Sequence, residues 1–288
     1  MSFIVSTDAA ADLPLSYIKQ NDIKVISMRF TLDGAEYAFG NGEPGFRMPD
    51  LFDKLRKGAA AKSQLINIET HLRHFEPFLK AGKDIVHIPL SSALSGTADN
   101  AASAAKELAA KYPGRKITVF DFKGASMGQG LCVDYLARLR DDGKTIDEAY
   151  KWLKENSLKI CHYFTVDDLG HLRRGGRISG FSSVIGSVLK IKPLLHVDNE
   201  GKLIPLGKVL GRNKALWGLV GKMKELAGGE NQRIFICHAD CEADAKIVAD
   251  KITAESGIKD IMINCMGPII GLHAGPGTVA LFFKGKYR

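Results

Sequence analysis

The sequence lacks the features that cross-link small secreted proteins or span a membrane. Its five cysteines are odd in number and scattered, several of them inside apolar runs, so they predict reduced core thiols and not a disulfide framework. No apolar run approaches the roughly 20 residues needed to cross a bilayer, and the chain opens without a basic leader. We therefore expect a soluble, cytoplasmic protein with no integral membrane contact.

Signals for metal and nucleic acid are equally sparse. Cys237 and Cys241 flank a histidine, but no second pair of ligands accompanies them, so no metal site is predicted. The formal net charge is +8, yet the basic residues form no arm, and the one dense group, Arg173, Arg174 and Arg177, lies in no nucleic-acid motif. We expect no nucleic-acid partner, and the charge favours docking to an acidic surface.

Composition and periodicity predict an α/β protein. A chain of 288 residues with 45% hydrophobic content can build two cores. Short β-rich runs alternate with segments of helical period, a pattern typical of parallel strands joined by crossover helices. We predict two α/β domains with mostly parallel sheets, an N-terminal domain at 1–158 and a C-terminal domain at 159–288.

The predicted elements follow from these patterns. The strands are expected at 4–6, 85–89, 117–120, 159–166, 194–197, 203–207, 233–237, 261–266 and 279–283. The helices are expected at 15–21, 49–57, 72–80, 98–111, 126–142, 147–156, 182–189, 213–226 and 243–256. Asp147 is predicted to cap its helix, because an aspartate accepts hydrogen bonds from the free N–H groups of the first turn.

One segment has the character of an anion site. Residues 91–97 read Ser-Ser-Ala-Leu-Ser-Gly-Thr and lie between a predicted strand and a long helix. Free N–H groups and the helix dipole favour negative charge there, and glycine lets an anion approach the backbone. The expected ligand is a carboxylate or a phosphate. The alternative, that Ser95 or Thr97 only caps the helix, stays open.

Three further segments carry polar groups. Residues 62–64, Lys-Ser-Gln, form a polar turn, and the Gly- and Pro-rich segment 267–278 predicts a close-packed turn that presents His273. Segment 167–178 ends in Gly-Gly-Arg-Ile. Its Arg177 belongs either to a solvated face or to a surface that binds an acidic partner or a phosphate. Each segment alone also fits ordinary loop structure.

Taken together and in this order, the segments resemble the DegV family. Residues 5–14, Val-Ser-Thr-Asp-Ala-Ala-Ala-Asp-Leu-Pro, are similar to its opening Thr-Asp-Ser-Thr-Ala-Asp-Leu-Pro, and 62–64 stand where the family has Thr-Ser-Gln-Pro. Residues 91–97 match Ser-Ser-x-Leu-Ser-Gly-Thr. The Gly-Gly-Arg-Ile and Gly-x-His-x-Gly-Pro-Gly-Thr elements are present at 175–178 and 271–278. The resemblance runs from the first predicted strand to the last.

The resemblance implies two α/β domains with a long-chain fatty acid in a tunnel between them, and no cofactor. It implies a lipid-binding subunit and not an enzyme, which presents the fatty acid carboxylate to a separate ATP-dependent fatty acid kinase for conversion to acyl phosphate. Arg177 would then belong to the surface that meets the kinase. The residues that would surround the carboxylate are Ser63, Ser92, Ser95, Gly96 and His273.

The chain departs from the family pattern near the head group. Ala9 and Ala10 replace Ser-Thr, and Lys62 replaces a threonine that could donate to a carboxylate. Lys62, and Gln64 two residues on, are additional candidate ligand contacts if they point inward. If Lys62 points to solvent, the head-group site is poorer and a different ligand becomes more credible. The candidate tunnel lining is Phe164, Ile185, Val188, Leu189 and Ile270, with Ile270 expected on a strand.

Two other functions remain open at this point. Ser92 or Ser95 with His273 as base would make a serine hydrolase or acyltransferase, although the sequence has no Gly-x-Ser-x-Gly elbow and no identifiable third triad member. An anion or nucleic-acid binder would show an affinity that falls steeply with salt. The chain has no phosphate-binding Gly-x-x-x-x-Gly-Lys-Ser/Thr loop, which favours the carrier.

Overall fold

The computed structural model describes residues 3–43, 46–178, 191–229 and 232–288, and the predicted helix at 182–189 lies outside these ranges. The strands are β1 Ile4–Asp8, β2 Lys24–Ile26, β3 Met28–Leu32, β4 Ala35–Phe39, β5 Ala61–Ser63, β6 Ile85–Ile88, β7 Ile117–Val119, β8 Ile160–Thr165, β9 Ile191–Val197, β10 Leu203–Leu210, β11 Ile234–His238, β12 Ile261–Cys265 and β13 Val279–Lys284. The helices are α1 Leu15–Gln20, α2 Met48–Arg56, α3 Ile68–Lys80, α4 Thr97–Lys111, α5 Ser126–Asp141, α6 Ile146–Asn156, α7 Gly170–Arg174, α8 Arg212–Leu226, α9 Glu242–Ser256 and α10 Pro268–Ala274.

The first sheet has the predicted parallel architecture. Its strand order is β2-β1-β6-β7, and all three pairs are parallel. Parallel neighbours require crossover connections, and α1, α3 and α4 lie in those connections. The α/β class is therefore confirmed, and this sheet brings the carboxyl ends of β1 and β6 side by side.

The second sheet corrects one part of the prediction. Its order is β10-β9-β8-β13-β11-β12, and of its pairs only β11 with β12 is parallel. The expectation of a mostly parallel sheet is wrong here because β9 and β10 form a hairpin and β13 enters antiparallel between β8 and β11. Hydrophobic periodicity locates strands but does not give their direction.

A small third sheet, absent from the prediction, positions part of the site. It is antiparallel with the order β4-β3-β5, and Ser63 pairs with Phe30 while Lys62 pairs with Thr31. Paired residues share a face of a sheet, and Phe30 is fully buried. Ser63 therefore faces the interior, whereas Lys62 lies on the opposite, exposed face.

The N-cap of α6 lies two residues before the predicted one. Thr145 is the N-cap, and its side chain accepts from the Glu148 N–H while the Glu148 carboxylate accepts from the Thr145 N–H. Asp147 lies in the first turn and is not the cap. This reciprocal capping box satisfies two free donors at once, which a single aspartate cannot do.

Helix α5 lies between the first and second sheets. It contacts β1 and β6 on one side and β8, β11 and β13 on the other, and every residue from 126 to 134 is buried. The core is continuous through this helix, while a second cluster fills the far face of the second sheet under α8 and α9. The division at 158/159 stays a prediction, with the first and third sheets before it and the second sheet after it.

Candidate functional site

An apolar cavity of about 220 Å³ lies between the two main sheets. Residues from both halves of the chain line it, including the predicted Phe164 on β8 and Ile270, which is on α10 and not on a strand. The expected lining residues Ile185, Val188 and Leu189 lie outside the described residues. The prominent apolar lining residues are Leu90, Leu94, Phe164, Ile269, Ile270 and Phe282. Because these side chains are apolar, the cavity can accept a hydrocarbon chain.

The cavity opens into a polar surface groove at a mouth formed by three side chains. Ser63, Arg177 and His273 line both the cavity and the groove. The groove runs between the α2–β5 segment and the α7 helix. A polar group at the end of a bound chain would thus lie at a boundary between apolar interior and solvent-accessible surface.

Ser63 and His273 are the central polar pair of this mouth. The Ser63 Oγ and the His273 Nε2 share a hydrogen bond of 2.9 Å, although the residues are 210 positions apart. Burial, assisted by the charge of Arg177, lowers the pKa of His273 to about 4. The imidazole is therefore neutral at pH 7 and acts through hydrogen bonding.

The anion-site segment contributes Ser95 and Gly96 to the cavity lining. Gly96 is the N-cap of α4 and offers no side-chain cap, while the Ser95 Oγ accepts from the Thr97 N–H at 3.3 Å. Thr97 in turn accepts from the Ile66 N–H at 3.2 Å. This bond fastens the strand that carries Ser63 to the α4 N-terminus, so two segments singled out by sequence meet.

Other candidate residues lie further from the cavity. Ser92 is not part of its lining, and its hydroxyl accepts from Lys123 Nζ at 2.7 Å. Lys62 borders the groove and not the cavity. Gln64 lines the cavity, and its amide group donates to Glu36 at 3.4 Å.

Arg177 is held at the mouth by backbone carbonyls from both halves of the protein. Its Nε donates to the Leu94 oxygen at 3.3 Å, and a terminal N–H donates to the Gly175 oxygen. The side chain is half-buried. The guanidinium therefore faces the cavity as well as the groove, a placement that the glycine-turn pattern did not reveal.

The hydrolase alternative finds little support in this geometry. His273 pairs with Ser63, and neither Ser92 nor Ser95 bonds to it; within the described ranges no carboxylate hydrogen-bonds to its other nitrogen. A general base works best with a pKa near the operating pH, whereas that of His273 is about 4. A triad is therefore not assembled by these residues.

Sequence reasoning gave no role to Asp12, which the structure connects to the cavity wall. The Asp12 carboxylate accepts from the Ser126 hydroxyl at 2.7 Å and from the Gly267 N–H at 2.9 Å. Gly267 is the N-cap of α10, the helix that carries His273. Pro268 at the first helical position was a usable signal for this helix.

The described ranges contain no cluster of three or more His, Cys, Asp or Glu side chains arranged to bind a metal ion. Every helix within them is too short or too polar to cross a bilayer.

Comparison with known proteins gives one consistent family. The model of the DegV family, described as an uncharacterised protein family, matches residues 2–286. A DegV domain-containing protein of Clostridium perfringens is 42% identical over 99% of this chain and 98% of its own. A fatty acid-binding protein of Thermotoga maritima is 31% identical, covering 97% of this chain and 96% of its own.

A solved structure gives the same result. The structure of a DegV family protein from Thermus thermophilus, described for its fatty acid binding, superposes with a TM-score of 0.89 at 26% identity. The match covers 99% of this chain and 100% of the other. Family profile, sequence relatives and fold agree over the whole length, and the chain therefore belongs to the DegV family.

Proposed function

We propose that this protein binds one long-chain fatty acid, with the acyl chain in the apolar cavity and the carboxylate at the mouth. The observation that carries the proposal is the apolar cavity between the two main sheets, whose walls end at the Ser63–His273 pair. The fatty acid binding described for the Thermotoga and Thermus relatives supports it.

Simple energetics favour such a ligand. Each buried CH₂ group contributes roughly 0.8 kcal/mol, so a tail of about 16 carbons gains enough to bind tightly. A carboxylate removed from water needs several donors. The hydroxyls of Ser63 and Ser95, the backbone N–H groups beside Gly96 and the imidazole of His273 provide them in this proposal.

The groove gives the carboxylate an outward route. We infer that a separate ATP-dependent fatty acid kinase docks there and converts the carboxylate to an acyl phosphate, with Arg177 as a contact. The protein would be a cytoplasmic lipid-binding subunit with no cofactor and no turnover of its own. Two carboxylates of the groove are neutralised by ion pairs, Asp240 with Arg56 and Asp167 with Lys192. The groove therefore does not repel an anionic substrate.

Three head-group candidates take secondary roles in this proposal. Ser92 orders the 91–97 loop through Lys123 and does not touch the carboxylate. Gln64 contacts the ligand near the mouth. Lys62 adds positive charge to the groove side and does not replace the threonine donor that the family pattern has.

Lipid extraction from the purified protein tests the binding step. Mass spectrometry of the extract should find a long-chain fatty acid at close to one per chain, and delipidated protein should take up palmitate. Delipidated, folded protein that binds no fatty acid would rule the proposal out. Reconstitution with a fatty acid kinase and radiolabelled ATP tests the second step, with acyl phosphate as the expected product.

A further inference from the structure

A histidine lies in the wall of the apolar cavity, away from its mouth. His162 is on β8, lines the cavity and is only 2% exposed. Its Nδ1 lies 3.0 Å from the Ile160 carbonyl oxygen, which can only accept a hydrogen bond, so Nδ1 carries the hydrogen. Burial lowers the pKa of His162 well below its usual value, so the ring is neutral at pH 7 and its Nε2 is a hydrogen-bond acceptor.

This Nε2 acceptor has no hydrogen-bond partner within the described ranges. It lies against the start of α5, since a Cβ atom at Gly124 or Gly128 would be 2.4 or 2.1 Å from it. Because both positions carry glycine, neither residue has a side chain that could cover the nitrogen or bond to it. A buried acceptor without a donor costs free energy, and a ligand hydroxyl would remove that cost.

The first turn of α5 adds hydrogen-bond donors at the same place. Ala125 and Ser126 line the cavity together with His162. Ala125 is the N-cap of α5 and provides no side-chain cap, and the first N–H groups of a helix have no partner inside the helix. A hydroxyl at this point can therefore donate to the His162 Nε2 and accept from the backbone.

Strand β13 and the residue before it set the distance of this histidine from the mouth. Thr278, Ala280 and Phe282 line the cavity, and Gly277, next to Thr278, lines the groove. His162 pairs with Phe282. A strand rises about 3.4 Å per residue, so the pair lies about 14 Å along the wall from Thr278. A carboxylate at the mouth thus leaves the middle of a long acyl chain beside His162.

We infer that His162 and the start of α5 form a second ligand contact, which binds a hydroxyl group in the middle of the acyl chain and makes hydroxylated long-chain fatty acids ligands of this protein. The inference rests on the proposed fatty acid binding and names a class of fatty acid. In a cavity with only apolar walls, a mid-chain hydroxyl would lose its water and gain no partner, so hydroxylation would weaken binding. Beside His162 the hydroxyl regains its hydrogen bonds.

The experiment measures the binding of stearate, 10-hydroxystearate and 12-hydroxystearate to delipidated full-length protein by isothermal titration. The wild type should bind the better of the two hydroxy acids at least as tightly as stearate. His162→Leu removes the acceptor and should weaken binding of that hydroxy acid about fivefold to a hundredfold more than binding of stearate, the range for a buried hydroxyl left without a partner.

Two further measurements locate the contact. His162→Gln keeps a hydrogen-bond acceptor and should restore part of the affinity for the hydroxy acid. The hydroxyl of 2-hydroxystearate lies beside the carboxylate, so replacing His162 should change the affinities for 2-hydroxystearate and stearate by the same factor. His162→Met, which is also apolar, serves the same test if the leucine variant does not fold.

The matched control is Phe164→Leu. Phe164 lies on the same strand and the same cavity wall as His162 but carries no polar side-chain atom. Its replacement should therefore change the affinities for stearate and for the mid-chain hydroxy acids by the same factor.

Two results overturn the inference. Equal preference for the hydroxy acid in the wild type and in His162→Leu would show that the hydroxyl does not contact the histidine. Weaker binding of both mid-chain hydroxy acids than of stearate by the wild type would show that the middle of the chain meets only apolar wall. Failure of the wild type to bind any of the four acids is a different result, because it would overturn the proposed function itself.

Discussion

Asp12 and Gly267, 255 positions apart, are joined by a hydrogen bond of 2.9 Å from the Gly267 N–H to the Asp12 carboxylate. The bond fastens the start of α10 to the segment after β1. At the other end of α10, His273 shares its hydrogen bond with Ser63. Both ends of this helix are thus held by residues from the first half of the chain, which fixes the cavity wall it forms.

The Asp12 carboxyl should make stability depend on pH. Burial raises its pKa from 3.8 to about 7. The folded state therefore binds this proton more tightly than the unfolded state, so the contribution to stability is full below about pH 4 and is lost as the pH rises towards 7. The loss is at most about 4 kcal/mol.

The Asp12→Asn variant has no ionisable group at this position. Its free energy of unfolding should therefore fall less than that of the wild type between about pH 5 and about pH 8. Urea unfolding at both pH values measures the difference. Asp8→Asn should change the pH dependence of stability in the same direction but by a smaller amount, because burial raises the pKa of Asp8 only to about 6. Parallel pH profiles for all three proteins would contradict this account.

Ser63→Ala should weaken fatty acid binding about fivefold, the effect of losing one neutral hydrogen bond near 1 kcal/mol. Ser103→Ala is the matched control, since the Ser103 hydroxyl bonds only to the Asp99 carbonyl on the exposed side of α4. Isothermal titration of delipidated protein with palmitate gives both affinities. An unchanged affinity in Ser63→Ala would remove this residue from the head-group site.

Gly128→Ala should destabilise the protein. A Cβ atom at Gly128 would lie 2.1 Å from the His162 Nε2. The His162 ring packs against the rings of Phe122 and Phe282 at centroid distances of 5.5 and 5.2 Å, so overpacking should cost about 1–3 kcal/mol. Gly221→Ala in α8 meets nothing within 4 Å and should stabilise by about 0.5–1 kcal/mol. Thermal unfolding of both variants measures these opposite shifts; a neutral Gly128→Ala would be inconsistent with the packing.

Arg288 should be a major stabilising residue. Its guanidinium donates to five backbone carbonyls from both halves of the chain. Replacing it leaves several of these acceptors without donors, and Arg288→Ala should lower the free energy of unfolding by about 2–4 kcal/mol. The exposed Lys286→Ala provides the control in the same denaturation series. The five acceptors are the oxygens of Phe122, Lys123, Ser157, Ile160 and Asp198.

Much of the fold follows from the sequence because buried strands and long helices have strong periodicities. Strands such as β6 and β13 are mostly apolar and almost entirely buried, and they agree closely with their predicted bounds. The third sheet was missed because its strands are short and no residue of β4 is fully buried. The turn Asp33-Gly34, with positive φ at both residues, was a recognisable hairpin signal for β3 and β4.

The site was predictable only in part. Helix-terminus physics indicated the 91–97 segment, but it could not separate Ser95, which lines the cavity, from Ser92, which does not. The pairing of Ser63 with His273 depends on strand pairing in the third sheet and on helix α10, for which the sequence pattern predicted a turn. Only the family resemblance joined these two residues in advance, because no local pattern links positions so far apart.

The central place of α5 has a consequence for how the chain folds. The helix belongs to the first half by sequence, yet β8, β11 and β13 of the second half pack directly on it. A fragment ending at 158 would leave one side of this apolar helix in water, and the remaining fragment would expose the phenylalanines of its sheet. We therefore expect the two halves to unfold in a single transition and to be insoluble when expressed apart.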